Sequence, residues 1–421
     1  MLHGTCYDNL RELCHTIGHR LSGSPQAAKA VQWGRATLAA LQPDSVWLQP
    51  VMVPVWHRGK ESLQIKFSGN SAYEKIRMLS LGNSEGTQGK VLSAPILMVN
   101  SPEELKALAP SAAKGKIIFF NNPFPQEMIQ TFQGYGHTAR YRTVAPNMAS
   151  YKGAVGIIIR SVSTGLDDEP HTGAMRYADS VKKIPAVAIG NTSADRLAKA
   201  CSEGTVLAKL QSECTMKGTA TSYNVIAEIR GSEKPNEIVL VGGHLDSWDV
   251  GEGAHDDGAG ITQSIEVIRT FKALKWKPKR TIRAVLFMNE ENGMKGGLAY
   301  ADSAKAKKEK HILAIESDAG GFSPRGLGTE MDPEKRKIIK KYAPLFLPYG
   351  VYDFEQEEGG VDITPLYHNG VPTMGLLPDP QRYFDYHHTH ADTFDKVNHR
   401  ELKLGAVVMS QLVWLISEYG L

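Results

Sequence analysis

The stretch NEIVLVGGHLDSWDVGEGAHDDGAGITQSIEVIRTFKAL, residues 236–274, consists of an apolar run, a glycine-rich acidic turn and a helical pattern. The apolar run has the length of a buried strand, and the segment from residue 256 onwards predicts a helix with an acidic first turn. Two histidines and five acidic residues lie within positions 241–260. Charge concentrated after a buried strand indicates a ligand-binding edge, because open α/β sheets bind ligands beyond the carboxyl ends of their strands.

Strand and helix patterns alternate through the rest of this half of the chain. Further strands are predicted at 281–289, 311–317 and 371–377, and helices at 22–41, 334–346 and 400–420. No hairpin signal separates these strands, which favours a mainly parallel sheet with helices on both faces. The predicted fold class is therefore α/β.

Residues 88–215 have a different sequence pattern, in which short apolar runs of strand length alternate with helical or loop segments. This pattern predicts a compact α/β module inserted into the main domain. Within it, residues 133–146 are rich in glycine and tyrosine and are expected to form a long loop. Because 421 residues exceed what one core usually holds, we divide the chain into a first part of the main domain (1–87), the insertion, and a second part (216–421).

The composition argues against several classes of protein. The net charge is +3, and acidic residues nearly balance the lysine-rich stretches at 275–280 and 303–310, which argues against a nucleic-acid partner. No apolar run is long enough to span a bilayer, so no membrane partner is expected.

The cysteines and the first residues bear on the cellular compartment. The four cysteines form no C-x-x-C pair, which argues against a thiolate metal site. Cys201 and Cys214 could form a disulfide in an oxidising compartment, and Cys14 is expected to be a buried free thiol. The first residues lack a basic and apolar signal pattern, so the chain is expected to be either cytoplasmic or a mature exported form.

Side chains that bind metals follow three of the predicted strands. His244 ends the first strand, Glu290 and Glu291 follow the second, and Asp318 follows the third. Because the carboxyl ends of parallel strands meet at one edge of a sheet, we expect these side chains to lie close together. Imidazole and carboxylate are zinc ligands, and the absence of cysteine from the set favours a catalytic site over a structural one.

Two further groups enlarge this set. Asp256 begins the helix that follows His244, and DYHHTHADT, residues 385–393, contains three histidines in four positions. Taken alone, an aspartate pair at a helix start is usually a cap that complements the helix dipole. Five or six candidate ligands at neighbouring strand ends indicate instead two zinc ions that share a carboxylate.

Four motifs together resemble those of the di-zinc exopeptidases, the family that includes aminopeptidases and glutamate carboxypeptidase. They are GHLDSWDVGEGAHDDGAG (243–260), KPKRTIRAVLF (277–287), ESDAGG (316–321) and HHTHADT (387–393). The resemblance covers nearly the whole chain, and the insertion resembles a protease-associated domain. It implies the phosphorylase/hydrolase-like zinc-exopeptidase fold, a peptide substrate, two Zn²⁺ per chain and a homodimer. Close relatives of this kind are exported, which implies a secreted or periplasmic mature protein.

The resemblance also implies roles for individual residues. The implied metal ligands are His244, Asp256, Glu291, Asp318 and His388. Asp256 would bridge the two ions, and the Asp256–Asp257 peptide would be cis. His388 is the implied histidine because the family places this ligand four residues before an acid, here Asp392. Glu290 would be the general base.

Further positions concern orientation and substrate. Asp246 would orient His244 as a partner behind the ligand. Some relatives place a tyrosine that donates to the oxyanion directly before the last ligand, where this chain has His387. His387 or Tyr386 is therefore the candidate oxyanion donor. Asp362 lies in the segment 357–372, which matches the family's segment near the substrate pocket.

Three alternative functions remain open at this point. Di-zinc amidohydrolases of acylated amino acids use a similar ligand set but usually carry a lid domain later in the chain, whereas this insertion precedes His244. A non-catalytic, receptor-like protein on the same scaffold would have lost metal ligands, and here every ligand position is filled. A single-zinc, cyclase-like acyltransferase would not be expected to contain the protease-associated insertion.

Overall fold

The computed structural model describes residues 3–109 and 111–421, and the chain divides into two compact units. The first unit comprises the chain up to Val53 together with Thr219–Tyr383 and Asp392–Leu421. The second unit comprises Pro54–Gly218 and Phe384–Ala391. Each unit has its own sheet and its own buried apolar clusters.

The described residues form fifteen strands and twelve α-helices, numbered here in chain order. The strands are β1 (Ser45–His57), β2 (Glu61–Lys66), β3 (Glu74–Ile76), β4 (Met78–Ser80), β5 (Leu92–Val99), β6 (Ile117–Phe120), β7 (Gly156–Arg160), β8 (Ala186–Ile189), β9 (Leu207–Ser212), β10 (Thr215–Ile229), β11 (Lys234–His244), β12 (Arg280–Phe287), β13 (Lys310–Glu316), β14 (Pro324–Glu330) and β15 (Thr373–Pro378). The helices are α1 (Cys6–Glu12), α2 (Pro25–Ala40), α3 (Pro102–Ala107), α4 (Thr131–Tyr151), α5 (Asn191–Glu203), α6 (Ala259–Ala273), α7 (Glu290–Gly293), α8 (Lys295–Ala306), α9 (Pro333–Phe346), α10 (Thr364–His368), α11 (Tyr383–Tyr386) and α12 (His399–Tyr419).

The first unit is built on a seven-stranded sheet in the order β1-β10-β12-β11-β13-β15-β14. Its centre is parallel, because β11 pairs in parallel with β12 and β13, and β13 pairs in parallel with β15. The pairs β10–β12 and β14–β15 are antiparallel. The prediction of a mainly parallel α/β core is therefore confirmed. The antiparallel strands lie outside it, where an apolar run does not reveal the direction of the strand.

Helices cover both faces of this sheet. All eight residues of β12 are buried, as expected for a strand with both faces covered. One face packs against α6 and α12, which contribute Phe271 and Leu412 to the larger apolar cluster. The other face packs against α8 and α10, which contribute Tyr300 and Leu366 to a second cluster. The strand ends are thereby held in a rigid frame, and side chains that follow them have fixed positions.

Helices lie at the predicted positions of this unit, but α6 begins at Ala259 rather than at residue 256 and has no acidic residue in its first turn. The starts of α2 and α12 follow from capping. Ser24 precedes α2, and its hydroxyl accepts a hydrogen bond from the backbone N–H of Ala27 at 3.0 Å, with Pro25 in the first turn. Asn398 caps α12 in the same way by accepting from the N–H groups of Arg400 and Glu401. Such caps satisfy N–H groups that have no partner within the helix.

The second unit contains an eight-stranded sheet in the order β3-β2-β9-β5-β6-β7-β8-β4. The strands β5 to β8 pair in parallel, and antiparallel strands flank them. This unit begins at Pro54, earlier than the predicted boundary at residue 88. The reason is that β2 pairs with β9 and β4 pairs with β8, so residues 61–80 extend the sheet of the insertion.

The expectation of a loop at 133–146 is wrong, because these residues lie within α4. The buried face of this helix is lined largely by small or polar residues, among them Gly134, Thr138 and Ala145, so hydropathy does not reveal it. A Cβ at Gly134 would lie 2.7 Å from the ring of Phe124, which shows how closely the helix backbone approaches that side chain. Tertiary packing has here overridden the low helix propensity of glycine.

Two further sequence features can be compared with the structure. All four cysteines are free thiols, so Cys201 and Cys214 do not form a disulfide, and Cys14 is buried as expected. None of the helices in the described part of the chain combines the length and apolarity that a membrane span requires.

We predict that Gly260→Ala destabilises the protein, whereas Gly136→Ala does not. A Cβ at Gly260 would lie 1.8 Å from the carbonyl oxygen of Ser317, and overpacking of this kind costs about 1–3 kcal/mol. No atom lies within 4 Å of a Cβ at Gly136, in α4, where alanine should stabilise the helix by about 0.5–1 kcal/mol. The midpoint of thermal unfolding of each variant checks this, and equal midpoints for the two variants would contradict it.

Candidate metal centre

The register of the central strands brings three groups of polar residues to one edge of the sheet. The last residue of β11, His244, lies opposite Phe287 of β12, and Gly242 of β11 lies opposite Glu316 of β13. Because the three strands run in parallel, the segments that follow them leave the same edge. Glu290, Glu291 and Asp318 begin these segments, as the sequence predicted.

His244, Asp256 and Asp318 form a cluster at this edge. The Nε2 atom of His244 lies 3.0 Å from Oδ1 of Asp256 and 3.3 Å from Oδ1 of Asp318. One ligand atom from each of the three residues lies within 4.8 Å of the others. His244 and Asp256 are buried, and Asp318 is partly exposed. This arrangement offers one nitrogen and two oxygen ligands to a single ion, which is a donor set that zinc accepts.

The turn that contains Asp256 is held by two other carboxylates. Asp257, joined to Asp256 by a cis peptide, accepts from the backbone N–H of His244 at 3.0 Å and of Gly260 at 2.9 Å. Asp392 accepts from the N–H of His255 at 2.7 Å and of Asp256 at 3.1 Å. Asp257 and Asp392 therefore position the cluster. No pattern in the sequence identified either residue for this role.

Arg20 is a third positioning residue that the sequence analysis missed. Its guanidinium is fully buried and donates to the carbonyl oxygens of Leu245 at 2.7 Å, Glu252 at 2.8 Å and Gly253 at 2.9 Å. It thereby joins the residues directly after His244 to the turn before Asp256. Arginine suits this role because it presents five N–H donors in a rigid plane. A separation of more than 220 residues from its partners leaves no local signal for this contact.

Glu290 and Glu291 lie in the short helix α7, which Asp246 anchors. One carboxylate oxygen of Asp246 accepts from the N–H of Asn289 at 2.6 Å and of Glu290 at 3.1 Å. Asn289 has a left-handed backbone, with φ of 75°, which turns the chain sharply after β12. Glu291 accepts from the N–H of Trp248 at 3.0 Å. Residues that directly follow β11 therefore hold the segment that contains both glutamates.

The structure refines the expected contact between Asp246 and His244. The Nδ1 atom of His244 lies 3.0 Å from the backbone carbonyl oxygen of Asp246 and 4.0 Å from its carboxylate Oδ1. The backbone of Asp246 therefore fixes the orientation of the imidazole, which leaves Nε2 directed at Asp256 and Asp318. The carboxylate of Asp246 acts mainly on the turn that contains Glu290.

Burial and mutual repulsion perturb the acidity of the whole cluster. Burial, followed by the negative charges of Asp318 and Asp256, raises the pKa of Glu290 to about 8, although His244 opposes the shift. Burial also raises the pKa of Asp318, and raises that of Glu291 well above its usual range. Burial would lower the pKa of His244, but the surrounding carboxylates outweigh it and raise that pKa well above the usual value. Such a site favours a bound cation, which removes the repulsion.

Three further candidate residues belong to the second unit and are described within it. His387, His388 and Tyr386 belong to the second unit, where the rings of His387 and His388 stack with their centroids 3.4 Å apart. His388 has a φ of 64°, and its carbonyl oxygen accepts from the N–H of Thr172 at 3.0 Å.

Asp362 belongs to the first unit and is buried. Its backbone N–H points to Oε1 of Glu316 at 3.4 Å. Within the part of the chain that the structure describes, neither carboxylate oxygen of Asp362 has a hydrogen-bond partner. Burial and the charges of Glu316 and Glu290 raise its pKa well above the usual range.

Comparison with known proteins gives several similarities. The sequence profile of peptidase family M28 matches residues 224–413. Human carboxypeptidase Q is 36% identical over 98% of this chain and 85% of its own length, and the Xenopus laevis protein is 35% identical over 98% and 86%. The crystal structure of a peptidase M28 precursor from Shewanella amazonensis is 38% identical, covers 98% of this chain and 92% of its own, and has a TM-score of 0.93. BSAP, a zinc aminopeptidase from Bacillus subtilis, is similar in fold, with 20% identity over 97% of this chain and 93% of its own and a TM-score of 0.68.

We predict that the metal-free protein loses stability as the pH rises from 7 to 8.5. Folding raises the pKa of Glu290 from 4.5 to about 8. The folded state therefore binds more protons than the unfolded state between these values, so stability falls with increasing pH. The raised pKa of His244 acts in the same direction. We expect the thermal midpoint to fall by about 5 °C or more across this range.

Added zinc should oppose this loss, because it binds the deprotonated ligands. Calorimetric scans with and without Zn²⁺ at each pH measure both effects. A metal-free midpoint that is constant or rises over this range would contradict the expected protonation of the cluster.

Proposed function

Because this chain belongs to peptidase family M28, we propose that it hydrolyses dipeptides or short peptides at a co-catalytic di-zinc centre. Family membership identifies it as a metallo-exopeptidase similar to carboxypeptidase Q. The observation that supports the finer proposal is the cluster of His244, Asp256 and Asp318 at the carboxyl end of the parallel strands, next to Glu290 and Glu291.

The charge of the cluster supports two ions rather than one. Asp256, Glu290, Glu291 and Asp318 contribute four negative charges when ionised, and two divalent cations would balance them. Asp256 is the proposed bridging ligand, since it follows the turn that two other carboxylates hold in place. His244 and Asp318 would bind one ion, and Glu291 the other.

Glu290 is the proposed general base. When bound, zinc lowers the pKa of water from 15.7 to about 7 and polarises a carbonyl group. Glu290 would take a proton from the attacking water and transfer it to the leaving amine. Its backbone N–H donates to Asp246, whose own carbonyl oxygen contacts Nδ1 of His244, so one residue connects the backbone of Glu290 to His244. Its neighbour Glu291 is oriented separately through Trp248, so the two glutamates can have different roles.

His388 is proposed as the last ligand on the basis of sequence spacing, four residues before Asp392. His387 and Tyr386 are proposed as candidate donors to the oxyanion on the same basis. Asp392 itself has a structural part, because it accepts from two N–H groups of the turn that contains Asp256.

Asp362 is proposed to bind the free terminus of the substrate. Burial raises the pKa of Asp362, and a substrate ammonium beside it would favour its ionised form, so this position suits a terminal amine rather than a terminal carboxylate. Its carboxylate oxygens have no hydrogen-bond partner among the described residues. A buried, unpaired carboxylate is costly unless a cation or donor approaches it. This position therefore favours aminopeptidase-type cleavage of a dipeptide.

Location and assembly complete the proposal. The similar Shewanella amazonensis protein is named a precursor, which supports a secreted or periplasmic mature form for this chain too. The second unit is proposed to be a protease-associated domain, and the protein is proposed to be a homodimer, as the family resemblance implies. No observation favours an amidohydrolase of acylated amino acids or a receptor-like binding protein.

We predict that Glu290→Gln abolishes hydrolysis without loss of zinc. Removal of a general base should lower kcat about 10²- to 10⁴-fold, whereas the ligands remain in place. Hydrolysis of a dipeptide panel and zinc content by elemental analysis check the two parts. Glu233→Gln, at an exposed position of the same unit, is the matched control and should leave both unchanged. Full activity of Glu290→Gln would exclude the general-base role.

We predict that Asp256→Asn reduces the zinc content from about two ions per chain to one or fewer. A neutral amide is a weak substitute for a carboxylate that bridges two cations. Native mass spectrometry of the purified protein counts the ions directly. Asp302→Asn, an exposed residue of α8, is the control and should retain two. Two tightly bound ions in Asp256→Asn would rule out Asp256 as the bridge.

A further inference from the structure

The first unit contains a cavity that shares no residue with the metal centre. Its volume is about 370 Å³. Its walls come from the first residues of the described chain, the end of α6 and the loop after it, and the outer face of α12. The lining residues that matter below are Cys6, Glu266, Leu274, Trp276, Lys403 and Trp414.

The walls of the cavity are mainly apolar and aromatic. Trp276 and Trp414 have ring centroids 6.0 Å apart, inclined at 45°, and form one side. Leu274 and Tyr349 lie at the mouth, and both are exposed to solvent. Aromatic and aliphatic walls with a few polar groups are typical of sites that bind small molecules.

Lys403 is the unusual residue of this cavity. Its side chain is 8% exposed, which is rare for lysine. Within the described part of the chain, its Nζ atom forms no ion pair with a carboxylate. Its ammonium is therefore a positive charge in the lining that is available to an anion entering the cavity.

The other charged groups of the cavity do not pair with this ammonium. Glu266 is engaged elsewhere: its Oε1 atom lies 2.6 Å from a guanidinium nitrogen of Arg269, and its Oε2 atom accepts from the N–H of Thr5 at 2.9 Å. Burial raises the pKa of the Cys6 thiol to about 12, so this group is neutral. Glu266 and Arg269 balance one another, and one positive charge, that of Lys403, remains.

We propose that this cavity binds a small organic acid whose carboxylate pairs with Lys403 and whose apolar body lies against Trp276 and Trp414. Size supports the proposal, because an apolar cavity of about 150 Å³ holds a benzene molecule. The present volume therefore accommodates a fused two-ring or branched aliphatic body together with a carboxylate. The mouth at Leu274 and Tyr349 provides access from solvent.

Titration calorimetry with 2-naphthylacetate, compared with the neutral 2-(2-naphthyl)ethanol, tests the proposal on the zinc-loaded protein. We expect the wild type to bind the acid about tenfold or more tightly than the alcohol, because a charge-assisted hydrogen bond contributes that much. Lys403→Met preserves the length of the side chain but removes its charge. In this variant the acid should bind about tenfold or more weakly, and the alcohol should bind as in wild type.

Two further variants distinguish binding in this cavity from binding to exposed lysines elsewhere on the surface. Lys272→Met removes an exposed lysine at the end of α6 and should leave both affinities unchanged. Val407→Trp fills the cavity without a change in charge and should abolish binding of both compounds. The thermal midpoint and dipeptide hydrolysis of each variant show that it is folded. Binding of the acid that persists in Lys403→Met, equal affinities for acid and alcohol in wild type, or no binding of either compound would overturn the proposal.

Discussion

Buried negative charge at the carboxyl ends of β11, β12 and β13 is the constraint on which the rest of this structure depends. Glu291 is buried there beside the buried His244, and Glu290 and Asp318 are partly buried. Their pKa values rise because burial and mutual repulsion oppose ionisation. Divalent cations bound at this edge would remove that repulsion, which supports the proposed metal centre.

The surrounding residues hold these carboxylates in fixed positions. Three aspartates, Asp246, Asp257 and Asp392, each accept hydrogen bonds from two backbone N–H groups. Together these bonds fix the turn before Asp256 and the turn that contains Glu290. Hydrogen bonds from N–H groups to a carboxylate are strong and directional. The ligands are therefore positioned by the backbone, and a side chain that binds metal does not also have to hold the fold together.

The proposed ligands could be identified in the sequence because they follow strands that are recognisable from their apolar runs. His244, the Glu290–Glu291 pair and Asp318 each come directly after such a run, so the topology of a parallel sheet sufficed to bring them together. Arg20 was missed because its contacts join residues more than 220 positions apart. The helix α4 was missed because its buried face is made of small and polar residues, whose packing depends on partners such as Phe124.

Anomalous diffraction from crystals grown with Zn²⁺, recorded on both sides of the zinc absorption edge, would show directly whether two zinc ions bind at the proposed centre. We expect two zinc positions about 3.5–4 Å apart at the carboxyl ends of β11, β12 and β13. One should lie about 2.0–2.2 Å from His244 and Asp318, and both should lie at that distance from Asp256. A single zinc position at this edge, or zinc bound only elsewhere while this cluster stays empty, would contradict it.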